Sequence, residues 1–243
     1  MSLRSDGRRA GQLRPLRIET GYLRNAHGSA LIRAGGTTVL CTAMLEPGVP
    51  PFLVGKGVGW ITAEYGMLPA STPTRKPREI TRPDGRAQEI RRIIGRALRA
   101  AVDRKALGER TLWLDCDVLE ADGGTRTLAV TGAWVALALA VRRARSQKLL
   151  AGNPVIEQIA AVSVGVVDSR PLLDLCYVED VAAEVDMNVV MTRGGQYIEL
   201  QGTAERAPFS GAALNRLLAL AGQGCRRLMT LQRSALRTGK AEM

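Results

Sequence analysis

The stretch LAVTGAWVALALAV, residues 128–141, constrains this chain more than any other. Read as a helix, it is apolar on nearly every face. A helix without a polar face has to lie at the centre of a fold, covered by other elements. The residues ahead of it, TLWLDCDVLEA (111–121), read as a strand. Between strand and helix stands DGGTRT (122–127), and two glycines, a hydroxyl and an arginine are poor material for a core. At a helix start the same residues make chemical sense. The first N–H groups have no intrahelical partner and the dipole makes that end positive. Glycines let a ligand approach the backbone, Thr125 either caps the helix or offers its hydroxyl, and Arg126 supplies a forked, permanent charge. The motif therefore reads either as a glycine turn with a threonine cap or as a phosphate-sized anion site. The Gly-x4-Gly-Lys-Ser/Thr spacing of a P-loop is absent.

Short strands are predicted at 16–20, 29–34 and 37–46, with turns at Asn25–Gly28 and Gly35-Gly36. The glycines at 55, 57 and 59 do not precede a helix, so they make no dinucleotide fingerprint. Residues 69–86, PASTPTRKPREITRPDGR, hold four prolines and five basic side chains. Proline prevents regular structure there, and the segment reads as a basic surface arm suited to an oligomer contact, to RNA backbone, or to both. An amphipathic helix should begin near Asp84, with Ile90, Ile93, Ile94, Ala97, Leu98, Ala101 and Val102 as its buried stripe. Arg91, Arg92, Arg96 and Arg99 lie mostly off that stripe, as a solvated face or an RNA contact. Arg86, four residues before Ile90, extends the stripe and needs an anion there, a structural carboxylate or a bound phosphate. Residues 153–205 read as four strands with tight turns, and a final helix follows Pro208 with Leu214, Leu217, Leu218 and Ala221 inward. The order predicts two α+β halves, 10–145 and 155–240, joined near 146–154.

The chain has 243 residues, enough for one large domain or two small ones. Lys and Arg exceed Asp and Glu by 34 − 23 = 11, an excess suited to a polyanionic partner, most simply nucleic acid. No run of 18 apolar residues suggests a membrane span, and the charged N-terminal residues do not read as a secretory signal. The four cysteines (Cys41, Cys116, Cys176, Cys225) have no metal or redox spacing. They read as buried free thiols of a cytoplasmic protein. The one histidine, His27, lies in a predicted turn, which speaks against Ser-His-Asp or Cys-His catalysis.

Two carboxylates, Asp180 and Asp186, are candidates for the other half of a site. Along one continuous strand they would stand about 20 Å apart, so they act together only if the chain turns between them. Val185, Met187, Val189 and Met191 alternate with Asp186 and Asn188, a half-buried strand with Asp186 on its other face. Carboxylates suit hard divalent ions such as Mg²⁺, which need few protein ligands when phosphates supply the rest.

Six blocks in order carry a resemblance that spans nearly the whole chain: GSALIRAGGTTVLCTA, GVGWITAEYGMLPAST, GRAQEIRRIIGRALRAAVD, LDCDVLEADGGTRT, YVEDVAAEVDMNVVMT and IELQGTAE. The chain resembles the ribonuclease PH family, phosphate-dependent 3′→5′ exoribonucleases that trim transfer RNA precursors. The resemblance implies a ribonuclease PH-like α+β fold with mixed sheets and central buried helices. It implies inorganic phosphate as co-substrate, bound by Arg86, Gly124, Thr125 and Arg126. It also implies that Asp180 and Asp186 serve metal binding (Mg²⁺ or another divalent ion) and general acid catalysis. Arg75, Lys76 and Arg78 match the tRNA-binding arm, although Ala70 stands where the family commonly has arginine. A homo-hexamer built as a trimer of dimers is implied as well. Two rival readings are a non-catalytic RNA-binding ring subunit and a metal-dependent small-molecule phosphotransferase. The first would lack part of the phosphate or acidic set, and the second would not need the arm.

Overall fold

The structure, a computed structural model, describes residues 4–78 and 85–243. Strands β1 (Leu16–Thr20), β2 (Gly28–Ala34) and β3 (Thr37–Pro47) form an antiparallel meander. Then come β4 (Trp60–Met67), helix α1 (Gly85–Ala100), the one-turn α2 (Arg104–Leu107), β5 (Arg110–Glu120) and α3 (Thr125–Ser146). Because α1 crosses over between β4 and β5, those two strands pair in parallel while β3 and β5 pair antiparallel. The result is a mixed six-stranded sheet in the order β10-β1-β2-β3-β5-β4. One edge of the sheet, β10 (Lys240–Glu242), comes from the far end of the chain.

The second sheet is antiparallel, in the order β7-β6-β8-β9, from β6 (Ile159–Val167), β7 (Arg170–Leu173), β8 (Val185–Thr192) and β9 (Tyr197–Ala204). Helix α4 (Tyr177–Ala182) joins β7 to β8, and α5 (Gly211–Thr238) packs on β6 before leading into β10.

As its composition requires, α3 is central: it packs on β2 and β3 from one side and on β6 from the other. Fifteen of its residues are buried, on every face. Thr131 is its one polar side chain at zero exposure. Its hydroxyl donates to Ala161 O (3.1 Å) and accepts from Ala161 N (3.0 Å), which ties α3 to β6 without leaving a polar atom unpaired. By length and composition α3 is also apolar enough to cross a membrane, contrary to the expectation that no such segment exists. Its place between two sheets accounts for that composition.

The four predicted strands of 153–205 are present, but residues 177–182 are helical. Glu179 sits at the third helical position and its carboxylate accepts from Cys176 N (3.1 Å), which anchors the first turn. The helical start expected near Asp84 falls outside the described residues, as does Arg82. The arginines of α1 are more engaged than a solvated face requires. Arg91 pairs with Glu64 (2.8 Å) and Arg96 with Glu199 (2.9 Å). Arg99 donates to Ile61 O (2.8 Å) and lies over the Trp60 ring, 4.6 Å from its centroid.

Candidate active site

The DGGT turn owes its two glycines to backbone geometry. Gly123 and Gly124 have φ of +74° and +64°, the left-handed region that side chains disfavour. Their surroundings are also full. A Cβ on Gly123 would meet Leu175 O, Cys176 C and Tyr177 N at 2.8 Å, and one on Gly124 would meet Arg14 Nη2 at 2.8 Å. The turn is thus pressed against the start of α4 on one side and against a buried arginine on the other. Gly124 is the N-cap of α3 and no side chain caps it. The cap role considered for Thr125 is not taken. Thr125 is the first helical residue, and its buried Oγ1 accepts from Tyr65 Oη at 2.9 Å. A hydroxyl that accepts there keeps its own proton to donate elsewhere.

Arg126 follows, half-buried, its Nη1 donating to Gln201 Oε1 on β9 (2.7 Å). Gln201 in turn donates to Glu89 on α1. Arg86 occupies the first turn of α1 and is exposed, not part of the buried stripe. The stripe begins at Ala87 and Ile90, so Arg86 is free to face an anion from outside.

The acidic pair comes from the second half of the chain. Asp180 lies in the last turn of α4 and Asp186 on β8, so the chain does turn between them. Burial raises the Asp180 carboxyl above the usual carboxylate range, and the positive charges of Arg86 and Arg126 pull it back. Asp186 is pushed up to about 6, first by burial and then by the charge of Asp180, with Arg126 and Arg86 again opposing. Each arginine thus acts on each carboxylate. The four side chains, contributed by α1, α3, α4 and β8, lie within electrostatic reach of one another. Asp186 Oδ1 is buried and has no hydrogen-bond partner among the described residues.

The basic arm leaves β4 beside this site. Leu68 N donates to Val118 O (2.9 Å) and Ala121 N to Ser71 O (2.8 Å), so its base is pinned next to the DGGT turn. Arg75 and Arg78 are exposed and Lys76 is half-buried. His27 lies elsewhere, its Nδ1 accepting from Leu45 N (2.9 Å) in a structural role. All four cysteines are free and buried.

Sequence reasoning passed over Tyr65, Gln201, Glu89 and Asp122. Tyr65 lies in the glycine-punctuated stretch after residue 55, to which the sequence assigns no element, and only the fold brings its hydroxyl to Thr125. Gln201 and Glu89 come from distant segments whose meeting no spacing reveals.

Residues 12–142 match the model of the 3′ exoribonuclease family, domain 1, and residues 157–224 match its domain 2. A curated relative named Ribonuclease PH, from Solibacter usitatus (strain Ellin6076), is 54% identical over 96% of this chain and 99% of its own length. Another of that name, from Syntrophomonas wolfei subsp. wolfei, is 54% identical over 96% of this chain and 98% of its own. The chain belongs to the ribonuclease PH family. The family's reaction is phosphorolytic 3′→5′ removal of nucleotides in tRNA processing, and the chain is a phosphate-dependent exoribonuclease of nucleotidyltransferase type. Solved structures share the fold. An Archaeoglobus fulgidus exosome with RNA bound to the active site aligns with TM-score 0.81 and 23% identity, covering 94% of this chain and 92% of its own. Rice (Oryza sativa) Rrp46 aligns with TM-score 0.78 and 20% identity, covering 96% and 100%.

Proposed function

We propose that Arg86, Gly124, Thr125 and Arg126 bind the attacking phosphate and that Asp180 and Asp186 form the acid and metal side of the same site. The observation that carries this reading is the convergence of two arginines from two helix starts on one half-buried carboxylate pair. In phosphorolysis an oxygen of inorganic phosphate attacks the phosphorus that links the last nucleotide. The bond to the 3′ oxygen of the preceding nucleotide breaks, a nucleoside diphosphate leaves, and that 3′ oxygen takes up a proton. The nucleophile is the phosphate itself, so no histidine, serine or cysteine is needed.

The obstacle is the approach of two anions. Arg86, Arg126 and the free amides of α3 offset it with positive charge already in place. Thr125 adds a hydroxyl donor whose orientation Tyr65 sets. Of the two carboxylates, Asp186 is the one pushed up to about 6, and we assign it the protonation of the departing 3′ oxygen. The two carboxylates also fit a divalent ion such as Mg²⁺. They are hard oxygen donors, and Asp186 Oδ1 is unpartnered. No group of three or more metal-ligating side chains occurs among the described residues, which leaves the remaining positions to phosphate and water. Bound there, the ion would supply charge that screens the RNA phosphate.

The substrates we infer are tRNA precursors, held by Arg75, Lys76 and Arg78 beside the site. The assembly we infer is a homo-hexamer, a trimer of dimers, that gathers several arms around one particle. The buried, unpaired thiols support a cytoplasmic setting. The deciding experiment follows a short 3′-labelled RNA with Mg²⁺, with and without phosphate. Nucleoside diphosphate release that requires phosphate is expected, and Arg126→Ala should abolish turnover more than RNA binding. Equal loss of turnover and RNA binding in Arg126→Ala would remove the phosphate role.

A further inference from the structure

Three arginines of the first fourteen residues are buried: Arg4, Arg8 and Arg14, at 6%, 5% and 3% exposure. Buried arginines are rare unless paired, and these converge on one partner. Asp174 accepts Arg14 Nη2 on Oδ1 (2.7 Å) and Arg14 Nε and N on Oδ2 (3.1 and 2.8 Å). Its carbonyl accepts from Arg4 Nη2 and Arg8 Nη1, both at 2.9 Å. Asp174 has φ +57°, a backbone conformation that a non-glycine residue adopts at a cost.

The other donors of the same arginines reach the two halves of the active site. Arg14 Nη1 donates to Asp122 O (2.6 Å) and Gly123 O (3.4 Å), the carbonyls of the phosphate turn, and to Thr37 Oγ1 (3.3 Å). Arg4 holds both carboxylate oxygens of Glu179, the neighbour of Asp180, with Nε at 2.6 Å from Oε1. A direct link closes the frame: Asp122 Oδ1 accepts from Tyr177 N, the first residue of α4, at 3.1 Å.

We infer that the N-terminal segment is a positioning element of the reaction, in which Arg14 sets the phosphate turn, Arg4 sets the acidic helix, and Asp174 fixes the distance between them. With the carbonyls of 122 and 123 drawn inward to Arg14, the following amides at the start of α3 are left to the anion. A lysine cannot replace Arg14, because one ammonium cannot fork between Asp174 and the turn carbonyls. Arg4, Arg14 and Asp174 are buried and act through the backbone and side chains they hold. Their effect is geometric, and misplacement by about an ångström costs up to roughly a hundredfold in rate.

This inference rests on the assignment of Gly124, Thr125 and Arg126 to phosphate, so one assay should carry both. Steady-state phosphorolysis at varied phosphate is measured for Arg14→Lys, Arg4→Lys, Asp122→Ala and Arg126→Lys, each checked for folding by circular dichroism. Arg14→Lys and Asp122→Ala are expected to raise the phosphate KM by about tenfold or more, within that geometric range. Arg4→Lys should lower kcat and leave the phosphate KM near that of the wild type. If Arg126→Lys raises the phosphate KM while Arg14→Lys and Asp122→Ala do not, the positioning role is overturned and the phosphate site stands. If Arg126→Lys leaves it unchanged too, the phosphate assignment itself fails. Should Arg14→Lys not fold, the half-buried Asp122→Ala decides alone, an unchanged phosphate KM counting against the inference.

Discussion

A carboxyl that holds its proton up to about pH 6 has consequences for both activity and stability. Asp186 ionises near 3.8 when unfolded and near 6 when folded. Between those values the folded state binds the extra proton, so stability falls as pH rises through the window and stays lower above it. Asp186→Asn removes this cost. Its melting temperature should exceed that of the wild type at pH 8, and the gain should vanish below about pH 4. Turnover of the same variant should drop by roughly a hundredfold to ten-thousandfold, the usual worth of a positioned general acid. Asp180→Asn removes a like charge, so the Asp186 carboxyl should titrate lower. Burial remains, so it should stay above 3.8; carboxyl ¹³C shifts without metal or phosphate would read both. Tyr65→Phe leaves Thr125 Oγ1 without its donor and should cost about 0.5–1.5 kcal/mol of stability, together with a weaker phosphate KM.

At the scale of elements, the turn into α3 is the most constrained piece of backbone in the site. Gly124→Ala must adopt φ +64° and push aside the end of a side chain, whereas Gly123→Ala meets backbone at three atoms. Thermal melts should therefore rank Gly123→Ala as the more damaging change, beyond the roughly 1 kcal/mol of a left-handed alanine. These elements also show what was legible beforehand. The helix of 128–141 could be placed at the centre because, within a fold, an all-apolar helix has to be covered on every side. The strands of 16–47 were readable from alternation and glycine turns. Residues 177–182 were not, because YVEDVA lies ahead of the β8 alternation and is compatible with a simple turn; it becomes helical through Glu179 binding back to Cys176 N and out to Arg4. The site residues stood out by charge in the wrong place, Arg126 above all. Their supports did not, since Arg14 lies 108 residues from Asp122 and only the folded chain brings them together.

For the whole molecule, the excess of eleven positive charges predicts a binding constant for RNA that falls steeply with salt. Replacing Arg75 or Arg78 by alanine should reduce the slope of log K against log salt by about one, with little change in phosphate KM. A filter-binding titration across salt would separate that effect from damage to the site. The return of β10 to β1 bears on how such a chain is made. Arg17 pairs with Glu242, 242 − 17 = 225 residues later. At a synthesis rate of about 5–20 residues per second, β1 waits roughly 10 to 45 s for its outer neighbour. Through that interval the nascent chain presents an unpaired strand edge to every other nascent chain nearby. Its defence is composition: Arg17 and Glu19 alternate along that edge strand, a charged pair where an apolar one would invite a stranger.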